Sequence, residues 1–250
     1  VVLFGGQGSN GNLSDTWVWN GSTWTQRFIV SGPPARRDHA LAYDAGRGEI
    51  VLFGGTSGPI YSDTWVWNGT TWTQRVVDVV PPANAAHALA YDAVQGEVVL
   101  FGGHSPILET WIWNGSAWSL RATAVAPPAR SGHAMAYGAA RSEVVMFGGL
   151  ATTATLSDTW TRNGSTWVQR FLAISPPARR RHALAYDEMH RTLVLFGGMG
   201  SSNVRLSDTW LWQYRLVGAT DESFIRDHDL DGDGIAGCDD PDCDGVCDPF

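Results

Sequence analysis

Short segments of the chain carry apolar side chains with the periods of β-strands. The segment HALAYD at 39–44 places His39, Leu41 and Tyr43 on one face and two alanines on the other. The VLF run before each Gly-Gly pair is apolar on both faces, which favours a strand covered on both sides. TWVW alternates again, and the Asn-Gly after it is typical of a type I′ hairpin, because both central residues of that turn need φ > 0. TWTQR returns as a fourth strand.

These segments recur in phase, and nothing with helical periodicity separates them. Phe-Gly-Gly begins at Phe4, Phe53, Phe101, Phe147 and Phe196, at spacings of 46 to 49 residues. The DTW signature begins at Asp15, Asp63, Glu109, Asp158 and Asp208. HALAYD or a close variant follows a Pro-Pro pair and begins at His39, His87, His133 and His182. Four short strands in each repeat, with Gly-Gly and spaced Trp, predict propeller blades rather than a solenoid.

The repeats resemble those of kelch-type β-propellers, which carry a Gly-Gly pair at the end of the second strand and spaced aromatics on the next two. The matching pairs begin at Gly5, Gly54, Gly102, Gly148 and Gly197. The matching aromatics are Trp17 and Trp24, Trp65 and Trp72, Trp111 and Trp118, and Trp160 and Trp167. The resemblance covers residues 1 to about 217 and implies an all-β fold of four-stranded blades. The amino-acid sequences of the repeats also resemble, more loosely, those of large secreted kelch-like proteins of environmental bacteria.

Two units depart from the pattern. The first begins directly at VVLFGG without a HALAYD strand, and the fifth continues after Trp212 as QYRLVG without the Asn-Gly hairpin. A propeller closes by pairing its first and last blades, since open edges invite misassembly. We therefore predict a propeller of at least five units over 1–217, the first of them incomplete, and a separate tail over 218–250.

The Trp rows differ in what they predict. The Trp17 and Trp24 rows are expected to fill the space between blades. The Trp19 row has Arg162 at its fourth position, which places it near the rim and makes it a candidate binding surface. The other members of that row are Trp67, Trp113 and Trp212.

Repetition also places one imidazole in each blade at the start of its predicted innermost strand. A ring formed by His39, His87, His133 and His182 could hold a transition metal at a channel mouth. The alternative is a local hydrogen bond repeated within each blade. Neighbouring arginines predict a basic mouth for an anionic ligand, with ordinary solvated side chains as the alternative. They are Arg36, Arg37, Arg130, Arg179, Arg180 and Arg181.

No grouping in the propeller supports catalysis. Some kelch propellers are copper radical oxidases that need a Cys cross-linked to Tyr, and no Cys occurs here before Cys238. We expect a protein that is not an enzyme, with an enzymatic site at the channel mouth as the weakest alternative. Asn-Gly-Ser/Thr at Asn20, Asn68, Asn114 and Asn163 also fits the N-glycosylation pattern, which turn chemistry already explains.

The tail carries a calcium-loop pattern. Such loops place oxygen ligands at positions 1, 3, 5, 7 and 12 and Gly at position 6. The first loop uses carboxylates and one main-chain carbonyl, from Asp229, Asp231, Asp233, Ile235 and Asp240. A second begins at Asp240 and adds Asp242, Asp244 and the Val246 carbonyl. One or two Ca²⁺ are therefore predicted, and the alternative is a merely acidic tail.

The shared Asp240 resembles the calcium-wrapped type 3 repeats of thrombospondins, over about 25 residues. Cys238, Cys243 and Cys247 lie in the tail, with Cys238–Cys243 the favoured disulfide and the two other pairings open. Zinc binding by the three thiolates is a further alternative, which the surrounding carboxylates disfavour. Disulfides and weak calcium loops both favour an extracellular or cell-surface location.

Charge separates the two modules. Residues 221–250 hold eleven acids and one Arg, net −10, whereas residues 1–220 hold fourteen acids and sixteen Arg, net +2. The total of −8 disfavours a nucleic-acid partner, and no apolar run is long enough to span a membrane. We expect a binding or scaffold protein that presents a propeller surface to a protein or glycan. The alternative is a structural subunit that assembles through its calcium-locked tail.

Overall fold

The computed structural model describes residues 1–104, 109–213 and the backbone of 223–226. In these residues the fold is an all-β propeller of five antiparallel blades, as the sequence predicts, and it contains no helix. The chain divides into two compact units. One comprises Val1–Ser131 with Gly164–Trp167, and the other Gly132–Asn163 with Val168–Phe250.

Three sheets begin in the first unit. The first sheet has three strands, β1 (Val2–Gly8), β2 (Gly11–Trp19) and β3 (Trp24–Arg27). The second has four, β4 (Ala40–Asp44), β5 (Glu49–Phe53), β6 (Thr64–Trp67) and β7 (Trp72–Arg75). The third has β8 (Ala88–Asp92), β9 (Glu97–Phe101), β10 (Thr110–Trp113) and β11 (Trp118–Arg121). The first unit of the repeat is thus incomplete as predicted, since it has no strand equivalent to β4.

Two further sheets follow. The fourth comprises β12 (Ala134–Gly138), β13 (Glu143–Leu150), β14 (Thr155–Asn163) and β15 (Thr166–Arg170). The fifth comprises β16 (Arg179–Arg180), β17 (Ala183–Asp187), β18 (Thr192–Gly200), β19 (Arg205–Gln213) and β20 (Ser223–Arg226). Strand β20 pairs with β19 and belongs to the segment that the sequence assigns to the tail; the boundary at 217 stays a prediction.

The core lies between neighbouring sheets. In the first unit, Phe4 of β1 packs with Leu52 and three tryptophans of the second sheet, Trp65, Trp67 and Trp72. In the second unit, Val145 and Phe147 of β13 pack with Leu193, Leu195, Trp210 and Trp212 of the fifth sheet. Within each unit, strand alternation therefore turns apolar faces of neighbouring sheets toward each other, which is why the VLF runs are apolar on both sides.

The Asn-Gly hairpins form, but the predicted type I′ turn is wrong. In the second sheet the strands end at the Trp67–Trp72 pair, which leaves a four-residue loop. Only Gly69 has a positive φ there, and the side-chain oxygen of Asn68 accepts hydrogen bonds from the main-chain N–H of Thr70 and Thr71. The asparagine therefore acts as an Asx-turn acceptor, which the pattern Asn-Gly does not distinguish from a residue that itself adopts positive φ.

Candidate functional site

The histidine row lies between sheets. The ring of His39 meets Phe4 edge-on at 5.5 Å, and that of His87 meets Phe53 at 5.4 Å. In the second unit, His182 meets Phe147 at 5.5 Å. These three histidines thus pack on the Phe-Gly-Gly phenylalanine of the preceding sheet, whereas the sequence favoured a local hydrogen bond within each blade.

Burial decides the protonation of these imidazoles. It lowers the pKa of His39 to about 4, with a further lowering from the Arg36 charge. Burial and then the neighbouring His39 lower the pKa of His87 to about 3. Burial and then Arg179 lower the pKa of His182 to about 4. The described residues contain no cluster of three His, Cys, Asp or Glu side chains able to hold a metal ion, so they do not bring the row together as a metal site.

Backbone and histidine atoms approach the Gly-Gly pair so closely that a larger residue would not fit there. A Cβ on Gly54, at φ +63°, would lie 2.5 Å from the Asn84 carbonyl oxygen and 3.0 Å from the His87 ring. A Cβ on Gly55, at φ +94°, would lie 2.8 Å from the Cβ of His39. The first glycine therefore admits the next sheet, and the second admits the innermost strand of its own sheet.

A buried arginine follows three of the four Pro-Pro pairs. In the second and fifth sheets it forms an ion pair with an aspartate of the same sheet, which we call the brace. Arg36 is fully buried and forms a two-pronged ion pair with Asp63, with Nη–Oδ distances of 2.6 and 2.8 Å. It also donates to the carbonyls of Gly54 and Pro34, and Asp63 accepts from the indole N–H of Trp65. Arg179 repeats the arrangement with Asp208 and Trp210 in the fifth sheet.

The ion pair with arginine lowers the pKa of the paired aspartate. Burial alone would raise the pKa of Asp63, but hydrogen bonds from Arg36 and Trp65 outweigh it and lower the pKa. The hydrogen bond from Arg179 similarly lowers the pKa of Asp208 to about 2.

The basic mouth predicted from the sequence is therefore wrong for half of its residues. Arg36, Arg130 and Arg179 are buried, and all three turn their Nε toward the carbonyl of the second proline before them. Arg37 remains partly exposed and donates a hydrogen bond to Asn12. Arg180 donates a hydrogen bond to Asn203 at the surface. A buried, paired arginine cannot attract a ligand, so the sequence overcounted the charge on this surface.

In the third sheet, two other residues stand in place of the arginine and the aspartate of the brace. Asn84 stands where the other sheets have Arg, and its side-chain amide donates to the Gly102 carbonyl at 2.6 Å. Glu109 stands where they have Asp, and the buried indole N–H of Trp111 has no hydrogen-bond partner among the described residues. Both partners of the ion pair thus change together in one repeat, as expected if a buried charge is kept only where its counter-charge is present.

The threonine of the first three DTW signatures accepts a hydrogen bond from a tryptophan of the next sheet. The indole N–H of Trp72 donates to Thr16 at 3.0 Å, and that of Trp118 donates to Thr64 at 2.8 Å. Trp167 makes the same bond to Thr110. The prediction that the Trp17 and Trp24 rows fill the space between blades is confirmed where these sheets meet within a unit.

The Trp19 row does not form an exposed surface. Trp67, Trp113 and Trp212 are buried, and Arg162 is buried as well. Only Trp19 itself is partly exposed. The expectation of a rim position is wrong, because these sheets bury guanidinium groups as readily as indoles.

Exposed apolar residues lie instead in the connectors that join the last strand of one sheet to the next Pro-Pro pair. Phe28 is 91% exposed and Phe171 is 88% exposed. The residue after each, Ile29 or Leu172, packs on the core between the sheets. These connectors were not predicted from the sequence, although the apolar pairs after TQR and VQR were the available signal.

The predicted tail site lies outside the described residues. That holds for every predicted calcium ligand, namely Asp229, Asp231, Asp233, Ile235, Asp240, Asp242, Asp244 and Val246. It holds also for Cys238, Cys243 and Cys247. Calcium binding and the disulfide therefore stay predictions.

Comparison with known proteins gives no assignment: no protein-family model and no curated protein matches the chain. Among the described residues, no helix has the length and apolar character needed to cross a membrane.

Proposed function

We propose that this chain is an exported, kelch-type propeller protein that binds a protein or glycan without catalysing a reaction. The observation that carries the proposal is the use of the repeated polar side chains. Several of the repeated polar side chains, namely arginine, aspartate, threonine and histidine, form hydrogen bonds, ion pairs or packing contacts inside the protein. Examples are the Arg36–Asp63 ion pair and the Trp118–Thr64 hydrogen bond. What remains at the surface differs from repeat to repeat, as expected of a scaffold that presents a binding surface.

Two kinds of surface segment support a binding role. The β-hairpins beyond the Gly-Gly pairs differ in length and end in polar tips, such as those that follow Gly8, Leu150 and Gly200. The connectors add large exposed side chains, Phe28 and Phe171 among them. Aromatic residues surrounded by polar groups are the usual anchors of protein and glycan recognition.

Kelch membership and export rest on the sequence. The Gly-Gly pairs and spaced tryptophans carry the resemblance, and their contacts between sheets supply its physical reason. We propose that the tail binds Ca²⁺ through the Asp229 and Asp240 loops and is further held by a disulfide. Such a tail would be stable in an oxidising, calcium-rich compartment.

Binding is tested with glycan and extracellular-protein arrays. We expect the folded protein to retain at least one glycan or protein class, and Phe28→Ser to weaken that binding about tenfold or more. Val94→Ser is the control, because Val94 is 61% exposed and belongs to the turn between β8 and β9 rather than to a connector. Absence of any hit by protein with an intact thermal transition would contradict the proposal.

Calcium is tested separately by titration calorimetry and thermal unfolding with and without a chelator. A Kd of about 10⁻⁴–10⁻³ M is expected. Calcium at ten times Kd should stabilise the tail by about 1.4 kcal/mol. Asp231→Asn, which removes one ligand of the first loop, should weaken this effect, and Asp187→Asn, a change in the propeller, should leave it unchanged. Equal unfolding with and without the chelator would remove calcium from the proposal.

A further inference from the structure

A hairpin loop of the third sheet is covered by a side chain of the second. Asn114 and Gly115 follow β10 in the loop that leads to β11. Arg47, from the turn between β4 and β5, donates hydrogen bonds to the main-chain carbonyls of Asn114 and Gly96. It also forms an ion pair with the buried carboxylate of Asp44 at 2.6 Å. Arg47 thus ties its own turn to two turns of the third sheet.

The guanidinium of Arg47 lies directly on the glycine of this loop. A Cβ on Gly115 would overlap the Arg47 side chain, so glycine is required there for space as well as for its φ of +95°. The hairpin loop of the second sheet has the same Asn-Gly pair, with Gly69 at φ +98°. In both loops the asparagine Oδ1, of Asn68 or Asn114, accepts hydrogen bonds from the main-chain N–H groups two and three residues ahead. The two loops therefore share their internal geometry, and Arg47 covers one of them.

An asparagine before glycine is open to attack by its own chain, because glycine has no Cβ to hinder the approach. The main-chain nitrogen of the glycine loses its proton to hydroxide and attacks Cγ of the asparagine. The new N–Cγ bond closes a succinimide ring, and the Cγ–Nδ2 bond breaks as the side-chain nitrogen takes a proton from water and leaves as ammonia. Water then opens the ring at either carbonyl and gives aspartate or isoaspartate. Water and hydroxide are the only co-reactants, and nothing is oxidised or reduced.

Ring closure needs a freedom of movement that Arg47 restricts. The glycine nitrogen reaches Cγ only if the peptide group between the two residues turns about the Cα–C bond of the asparagine. The carbonyl oxygen of Asn114 belongs to that peptide group, so the turn breaks its hydrogen bond from Arg47. The guanidinium also lies against Gly115, which leaves the peptide group little room to turn.

We propose that both loops carry a site of spontaneous conversion to aspartate or isoaspartate, at Asn68 and at Asn114, and that Arg47 slows the conversion at Asn114. The shielded hairpin leads directly into Trp118, whose ring packs on Phe53 of the second sheet at 5.2 Å. Isoaspartate would lengthen the main chain just before this contact and disturb it. The proposal needs no ligand, calcium or export and so stands apart from the proposed function.

Incubation of the full chain at mildly alkaline pH, folded or in urea, tests the proposal. Peptide mapping by liquid chromatography and mass spectrometry follows the asparagine, aspartate and isoaspartate forms at Asn68 and Asn114. In the folded protein, Arg47→Ala should speed conversion at Asn114 about tenfold or more, because a hydrogen bond from a charged donor no longer has to break. Conversion at Asn68 should stay unchanged. In urea, wild type and variant should react alike at both sites.

Arg37→Ala is the matched control, because Arg37 is an arginine of the same unit that donates its hydrogen bond to Asn12 instead. It should leave conversion at both sites as in wild type. Unchanged or slower conversion at Asn114 in folded Arg47→Ala would overturn the proposal. Equal acceleration at Asn68 and Asn114 would overturn it as well, since that result would show a general loosening of the fold rather than the loss of a local contact.

Discussion

Protonation of the histidine row should destabilise the propeller in mild acid. The folded-state pKa values of His39, His87 and His182 lie at about 4, about 3 and about 4, below the ordinary 6.5. The unfolded chain therefore binds more protons than the folded one at pH values between these limits. Stability is full above about pH 6.5 and falls as the pH is lowered toward about 4.

The magnitude follows from the linkage relation. At about pH 5, an unfolded histidine is almost fully protonated and a buried one is almost neutral, so each contributes a loss of about 2 kcal/mol. Three such residues sum to about 6 kcal/mol, which is comparable with the whole stability of many domains. Around this pH the free energy of unfolding should change by about 4 kcal/mol per pH unit. The lowered pKa values of Asp63 and Asp208 act only in stronger acid, since their stabilisation is lost as the pH falls below the ordinary value of 3.8.

Urea unfolding followed by Trp fluorescence at about pH 7, 6 and 5 measures this slope. His87→Phe keeps an aromatic ring beside Phe53 but cannot be protonated, so it should reduce the slope by about a third. Thr64→Val is the control, because it removes the hydrogen bond from Trp118 and should lower stability equally at each pH. Equal wild-type stability at about pH 7 and 5, or an unchanged slope in His87→Phe, would refute the reasoning.

Two further changes test the backbone and the brace. Ala86 has φ +56° where the fourth sheet has Gly132 at φ +62°, so Ala86→Gly should raise the free energy of unfolding by about 0.5–1 kcal/mol and Gly132→Ala should lower it, both measured by urea unfolding. Arg179→Ala should lower stability by about 3–5 kcal/mol because it leaves the partly buried Asp208 carboxylate without its cation. The double change Arg179→Asn with Asp208→Glu copies the third sheet and should cost less; an equal loss would contradict the view that the two residues serve each other.

The strands were predictable because their signals are local. Alternation in HALAYD, the doubly apolar VLF runs and the repeat spacing identify β4, β5 and their equivalents without knowledge of any distant contact. The hairpin between β6 and β7 was predictable for the same reason. Its turn type was not, because Asn68 stabilises the loop through its side chain rather than through its own φ.

The roles of the polar residues depended on neighbours far away in sequence. Arg36 is 27 residues from Asp63, and Trp118 is 54 residues from Thr64. A sequence pattern shows that Arg and Asp both recur but not that they pair. Both interpretations of these arginines, a basic mouth and solvated side chains, therefore assumed exposed guanidinium groups and overestimated the exposed charge.

Local sequence patterns were enough to establish the all-β class, the repeat and its phase, the incomplete first unit and the pattern of the acidic tail. Periodicity and turn chemistry are properties of adjacent residues, and repetition multiplies their signal. Packing between sheets, by contrast, buries the Arg162 and Trp67 positions and places His87 on Phe53. Those outcomes depend on which sheet lies against which, and a side chain's burial is fixed by that packing rather than by the residues next to it in the chain.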